Sequence, residues 1–448
     1  MASNVIDSEL YKDYFGTERM RQIFSDTNQV QKWMDCEAAL ARVEARLGLI
    51  PEAAAVAISQ KAHAELIDLA NIKSEIDKTG HPFVALIKVY KAICEGNSGE
   101  YLHWGATSQD IMDTGMVLQI KEAYAVIADR LDEVYQCVCD KAAEHRNLVM
   151  VGRTNGQQAM PITLGFKFAV WGFELKRSID RLQACKDRLL VGEFAGAVGT
   201  IASLGEHGIE VQEQLFAELG LGTPSIAWFT ARDTLAEFIS ILGIIASTLG
   251  KIGNEVYSLQ KTEIAELEER SGEGSVGSST MPHKRNPFVS MQIVTLAKLV
   301  RSAATSAMDA IEQEHERDPR GMQVEWEALS KACLMTDAAL DKTIGLVTNI
   351  VVKPENMKRN LEVLHGLIFS EAIMLKLAEK MGRQTAHEVV HKVAMQAINE
   401  KVSVKELLLA SPEVMNILTA KQLDELIDPE NYIGLAHTFI DRLIAQRE

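Results

Sequence analysis

Between Phe238 and Leu249 the chain reads FISILGIIASTL, an uncharged stretch that is apolar around most of any helix it forms. It lies within a helical run over 232–266, a rod roughly 50 Å long at ~1.5 Å per residue. A rod that is apolar on every side has to be surrounded by other helices. The expectation is a central bundle of long helices, shared between subunits or, alternatively, closed within one chain. The uncharged segment between Glu237 and Lys251 is shorter than the ~20 residues that a bilayer crossing needs.

The same periodicity recurs elsewhere. Over 28–48, Val30, Trp33, Met34, Ala38, Leu40, Val43 and Leu47 fall at three- and four-residue spacing, with Gly48 as the stop. Similar runs cover 113–146, 162–191, 288–314 and 323–350, and the ten prolines mostly avoid them. The best strand signal is short, LVMVG at 148–152. The fold class predicted is therefore all-α. Breaks near 110 and at Lys353-Pro354 divide the chain into domains 1–110, 111–352 and 353–448.

Charge excludes some partners. With 62 acidic and 46 basic residues the formal net charge is -16, which argues against nucleic acid, whose phosphates need a basic stripe. It leaves small anionic substrates open, since a few local cations can hold a dianion. Met1 to Leu10 carries Asp7 and Glu9 and no apolar run, so no signal peptide is read there. The six cysteines form no CxxC pair and read as reduced thiols of a cytoplasmic protein.

The segment 267–287 differs in kind: it is rich in Gly, Ser and Pro and separates two long helices. Within it Gly272, Gly274 and Gly277 fit GxGxxG, but a charged helical segment precedes them and Pro282 and Pro287 follow, so the dinucleotide reading fails. The loop offers Ser278, Ser279, Lys284, Arg285 and Asn286. Removing a proton from the carbon beside a carboxylate requires a base and a stabilised carbanion. A serine serves as that base if backbone N–H groups and a nearby lysine stabilise its alkoxide. A plain surface loop is the alternative.

The run Gly277-Ser-Ser-Thr-Met-Pro-His-Lys-Arg-Asn-Pro287 resembles the GSSxMPxKxNP signature of the fumarase/aspartase superfamily. His103-Trp-Gly-Ala-Thr107-Ser108-Gln-Asp110 resembles that family's first block, and Gly152-Arg153-Thr154-Asn155-Gly156-Gln157-Gln158-Ala-Met-Pro161 its second. The likeness runs through nearly the whole chain. It implies a three-domain helical subunit in a homotetramer, with each active site assembled from blocks of three subunits. It implies Ser278 as the catalytic base. Thr107, Ser108, Lys284 and Asn286 match carboxylate-binding positions, with Thr154, Asn155, Gln157 and Ser279 beside them. No metal or organic cofactor is expected, because HExxH, a paired Cys/His cluster and a phosphate loop are all missing from the sequence.

Within the superfamily the chain looks similar to the 3-carboxy-cis,cis-muconate cycloisomerases and to adenylosuccinate lyases. It departs from both. Asp13-Tyr14 stands where adenylosuccinate lyases carry Arg-Tyr for their nucleotide. The second block has Asn155 where fumarases and adenylosuccinate lyases have a catalytic histidine, and Gln158 where the cycloisomerases have one. Neither amide donates a proton as an acid at neutral pH. Ala231, before Arg232, replaces a glutamine found in both relatives.

Three histidines are candidates for the vacant role: His103, His81 and His315. His103 and His81 are carried forward as catalytic candidates. Arg153, Arg317 and Arg320 are candidates for gripping a carboxylate, against the alternative of structural ion pairs. The Glu-rich run 263–269 reads as a solvated helix face. The function expected is a lyase that eliminates a β-substituent from a succinyl-type dicarboxylate or related tricarboxylate, releasing fumarate. A cycloisomerase and a non-catalytic homologue are the alternatives.

Overall fold

The computed structural model describes residues 4–270, 278, 280–281 and 283–447. Helices dominate it, and the fold is all-α. Helix α1 (Asp26–Arg46) starts where Ser25 accepts from the N–H of Asn28 at 3.2 Å. Helix α2 (Pro82–Ile93) begins with proline at its first position. Long helices follow: α3 (Ser108–Glu144), α4 (Leu164–Leu189), α5 (Asp233–Leu259), α6 (Phe288–Asp309) and α7 (Pro319–Thr348). Helix α8 (Pro354–Glu362) again opens on proline.

The apolar rod expected over 232–266 is α5. Phe238, Ile239, Leu242, Ile245, Ala246 and Leu249 are fully buried, and Ile244 is the exception at 43% exposed. By length and hydropathy α5 would suffice to cross a bilayer, yet 67% of its most apolar window is buried within the protein.

The chain forms two compact units, and the lines between them fall inside the five long helices. The first comprises Met1–Asp132, Arg177–Gly250 and Gln292–Asp341. In its core Trp33 of α1 meets Phe83 of α2 edge-on at 5.8 Å, among Met34, Leu40, Leu86, Tyr90 and Phe216. A buried charge sits here as well. Arg232, 1% exposed, holds Asp113 of α3 at 2.8 and 3.1 Å and Glu325 of α7, with its guanidinium over the Trp228 ring. Three distant segments are fixed by one cation facing two carboxylates, and burial pushes the Glu325 carboxyl up.

The second unit comprises Glu133–Lys176, Lys251–Met291 and Lys342–Glu448. The strand signal at 148–152 proves to be half of a hairpin. Strand β1 (Val149–Thr154) pairs antiparallel with β2 (Gln157–Thr163) through Asn155 and Gly156, at φ 51° and 76°. Both central residues of a type I′ turn need positive φ, which Asn-Gly supplies. A second short pair joins β3 (Leu267–Glu268) to β4 (Val351–Val352).

One expectation is corrected here. The helix predicted to run to 266 ends at Leu259, and of the glutamates after it Glu263 alone is exposed. Glu266, Glu268 and Glu269 are all buried, at 0%, 8% and 8% exposure. Each finds a partner far away in sequence. Glu266 binds Arg153 and Asn360, Glu268 binds Arg285 and Lys353, and Glu269 accepts from the N–H groups of Val289 and Ser290.

Candidate active site

Thr107 and Ser108 sit at the start of α3, where N–H groups lack intrahelical partners and the helix dipole favours an anion. Their backbone is fixed by Asp110. One of its oxygens accepts from Thr107 N–H at 2.7 Å and Gly196 N–H at 3.1 Å, and the other from Ala195 N–H at 2.7 Å. Burial pushes the Asp110 carboxyl up to about 7 even against these three donors. Asp110 closes the first sequence block but is absent from the predicted site, although its place three residues after Thr107 is a helix-start signal.

Arg317 reaches the same turn. It donates to Thr107 Oγ1 at 2.8 Å and to the Ala197 carbonyl at 2.8 Å, and its guanidinium lies over the Phe229 ring at 4.9 Å. It is exposed, so a cation held in place faces outward beside Thr107. Arg320 is engaged in ion pairs with Asp318 and Glu314, at 2.7 and 3.0 Å.

Two of the candidate histidines belong to this first unit with built surroundings. His103 has φ 62°, its N–H donates to Glu37 at 2.8 Å, and its ring Nδ1 meets the other Glu37 oxygen at 2.8 Å. His81 is the N-cap of α2, its Nδ1 accepting from Val84 N–H at 3.4 Å. That bond engages Nδ1 and leaves Nε2 outside it. His315 is exposed at φ 55°.

The second unit carries the remaining blocks. Thr154, Asn155, Gly156 and Gln157 form the exposed tip of the β1–β2 hairpin. Arg153 points to Glu266 and binds it bidentately at 2.7 and 2.9 Å, the structural ion pair that the sequence left as an alternative. Gln158 is half-buried, and its Oε1 has no hydrogen-bond partner among the described residues.

Ser278 accepts from two backbone donors, Met281 N–H at 3.0 Å and Thr280 N–H at 3.3 Å. Donors aimed at a hydroxyl oxygen favour its deprotonated form. Lys284 is exposed, and Asn286 is half-buried at the start of α6. Ser279 and the GxGxxG stretch lie outside the described residues. The loop is stapled at its base. Glu268 holds Arg285, Glu269 caps α6, and Gln260 binds both the Glu269 N–H at 2.9 Å and the Arg285 carbonyl at 3.3 Å. Among the described residues no cluster of three or more His, Cys, Asp or Glu side chains could hold a metal.

Residues 15–301 match the lyase family, and residues 366–443 match the adenylosuccinate lyase C-terminus. The chain is 44% identical to the adenylosuccinate lyase of Methanocaldococcus jannaschii, over 96% of this chain and 94% of that protein. It is 39% identical to the N-acetyl-S-(2-succino)cysteine lyase of Dickeya dadantii, over 99% and 98%. It superposes on the solved 3-carboxy-cis,cis-muconate lactonizing enzyme of Pseudomonas putida with a TM-score of 0.93 and 37% identity, covering 98% of this chain and 99% of that one. The chain belongs to the fumarase/aspartase superfamily of lyases.

Proposed function

We propose that this enzyme performs β-elimination on a succinyl-type substrate, using Ser278 as the base and releasing fumarate. The observation that carries the reading is the pair of backbone N–H groups on the Ser278 hydroxyl, which lowers the cost of an alkoxide. Ser278 takes the proton from the carbon beside a carboxylate. Thr107, Ser108, Lys284 and Asn286, with Ser279 and the hairpin residues Thr154, Asn155 and Gln157, hold the carboxylates and the aci-carboxylate. Arg317, stacked on Phe229, is the arginine on offer for a carboxylate, while the fork of Arg153 is taken by Glu266. His81, whose Nδ1 is engaged at the start of α2, offers Nε2 to the substrate. The exposed Ile244 amid the buried apolar stretch Phe238–Leu249 of α5 supports a homotetramer in which several chains complete each site.

The leaving group is a substituted amine or a thiol. Asp13, ion-paired with Arg21 at 2.7 Å, stands where a nucleotide-binding arginine would be, which weighs against adenylosuccinate. A relative acting on a succinylated cysteine makes sulfur a second candidate atom. An ultraviolet assay over N-substituted aspartates, S-(2-succinyl) thiols, adenylosuccinate, malate and carboxymuconate tests this. Fumarate from an N- or S-substituted succinate supports elimination. Turnover of carboxymuconate alone would instead make the chain a cycloisomerase.

A further inference from the structure

The second block has no proton acid at the two positions where the superfamily places an imidazole, which are Asn155 and Gln158 here. An amine does not leave carbon as a free anion in water, so its departure calls for a proton donor. The first unit contains an imidazole that is built rather than merely present. His103 adopts φ 62°, a left-handed conformation that is unfavourable for a non-glycine residue and persists where contacts enforce it.

Those contacts come from one carboxylate. Glu37 on α1, 1% exposed, takes the His103 backbone N–H on one oxygen and ring Nδ1 on the other, both at 2.8 Å. The Phe83 ring of α2 packs against the imidazole at 5.0 Å. Position, ring orientation and tautomer are thus fixed together. Nδ1 carries the proton shared with Glu37, and Nε2 is the nitrogen left for a substrate. The His103 side chain keeps 21% of its surface exposed, so it is not sealed in the core. Glu37 is the acidic side chain in contact with the ring.

We propose, resting on the elimination reading of Ser278, that His103 positioned by Glu37 gives the leaving heteroatom its proton, in place of the missing second-block histidine. Ser278 removes the proton from carbon, and that electron pair becomes the new carbon–carbon π bond. The carbon–heteroatom bond breaks with its electrons on the heteroatom, a His103 ring protonated on both nitrogens transfers its Nε2 proton there and is left neutral, and the neutral amine or thiol departs. Solvent then returns a proton to His103 and takes one from Ser278. Glu37 is a positioning residue in this scheme.

The test compares wild type, His103→Gln, Glu37→Gln and Glu37→Asp on two succinates that differ only in an N- or S-linked leaving group. For the N-linked substrate, kcat falls at least about a hundredfold in His103→Gln, with KM nearly unchanged. For the S-linked substrate the fall is under about tenfold, because a thiol of pKa about 8.5 departs without help. Glu37→Gln follows His103→Gln, and Glu37→Asp recovers part of the loss. In heavy water, Ser278-dependent deuterium entry at the substrate carbon continues in His103→Gln. Equal losses with both leaving groups, or an effect on KM alone, would overturn the assignment, and so would exchange that stops in His103→Gln. Fumarate release that survives Ser278→Ala sinks the elimination reading itself, a different outcome from any of these.

Discussion

Arg153 and Glu266 meet through two parallel hydrogen bonds, 2.7 and 2.9 Å long, with the carboxylate fully buried and Asn360 donating to it at 2.8 Å. The pair ties the β1–β2 hairpin to the segment that follows α5 and, through Asn360, to α8. Removing one partner of such a pair leaves the other charge uncompensated, at a cost of about 3–5 kcal/mol. Glu266→Gln is accordingly expected to lower the thermal unfolding midpoint by several degrees, while Arg153→Lys, which cannot form the fork, falls between it and wild type. Calorimetry on the three proteins checks the order.

Much of this fold can be read in the sequence, because its long helices depend on local periodicity. What could not be read depends on partners distant in the chain. Glu266, Glu268 and Glu269 look like a solvated helix face until Arg153, Lys353 and the start of α6 are brought to them. Glu37 lies 66 positions from His103, so nothing local marks the pair. The second strand, by contrast, was announced by Asn155-Gly156 between two apolar runs, a hairpin signal that the short strand reading passed over. Ser278 is proposed from the loop's resemblance to the GSSxMPxKxNP signature, since composition alone leaves a plain surface loop open.

Stability should fall as pH rises through neutrality. Burial pushes the carboxyls of Glu44 and Glu193 up to about 9 and that of Asp110 up to about 7, while in the unfolded chain each ionises at about 4. The folded protein therefore keeps protons that the unfolded chain has released. The stability contributed by these groups is fully present below about pH 4 and is lost as pH climbs through 7 and then 9. Neither oxygen of Glu44 has a partner among the described residues. Glu44→Met should raise stability at pH 8 by about 1–2 kcal/mol and flatten the decline. Unfolding midpoints from pH 5 to 9 measure both.

Asp110 should act on substrate affinity through the turn that it holds. Asp110→Ala frees the N–H groups of Thr107, Ala195 and Gly196 together and loosens the start of α3. The expected result is a KM increase of about tenfold or more, equivalent to about 1.4 kcal/mol of lost binding. Steady-state kinetics against wild type decide it, and an unchanged KM would remove Thr107 and Ser108 from the carboxylate site.

Arg317 is expected to tolerate lysine poorly. A lysine keeps the charge but loses the stack on Phe229 and the fork that reaches Thr107 and the Ala197 carbonyl at once. Arg317→Lys should raise KM about tenfold with kcat within about threefold. The same pair of constants for Arg320→Lys should stay near wild type, since Arg320 is engaged with Asp318 and Glu314.

The most direct measurement is fumarate release from the best N- or S-substituted succinate by wild type and Ser278→Ala, at matched concentration and with folding checked by circular dichroism. Loss of at least about a thousandfold in kcat, with substrate still bound, is the predicted result. A variant that keeps turning over near the wild-type rate would show that Ser278 is not the base, and the elimination chemistry would have to start from another residue.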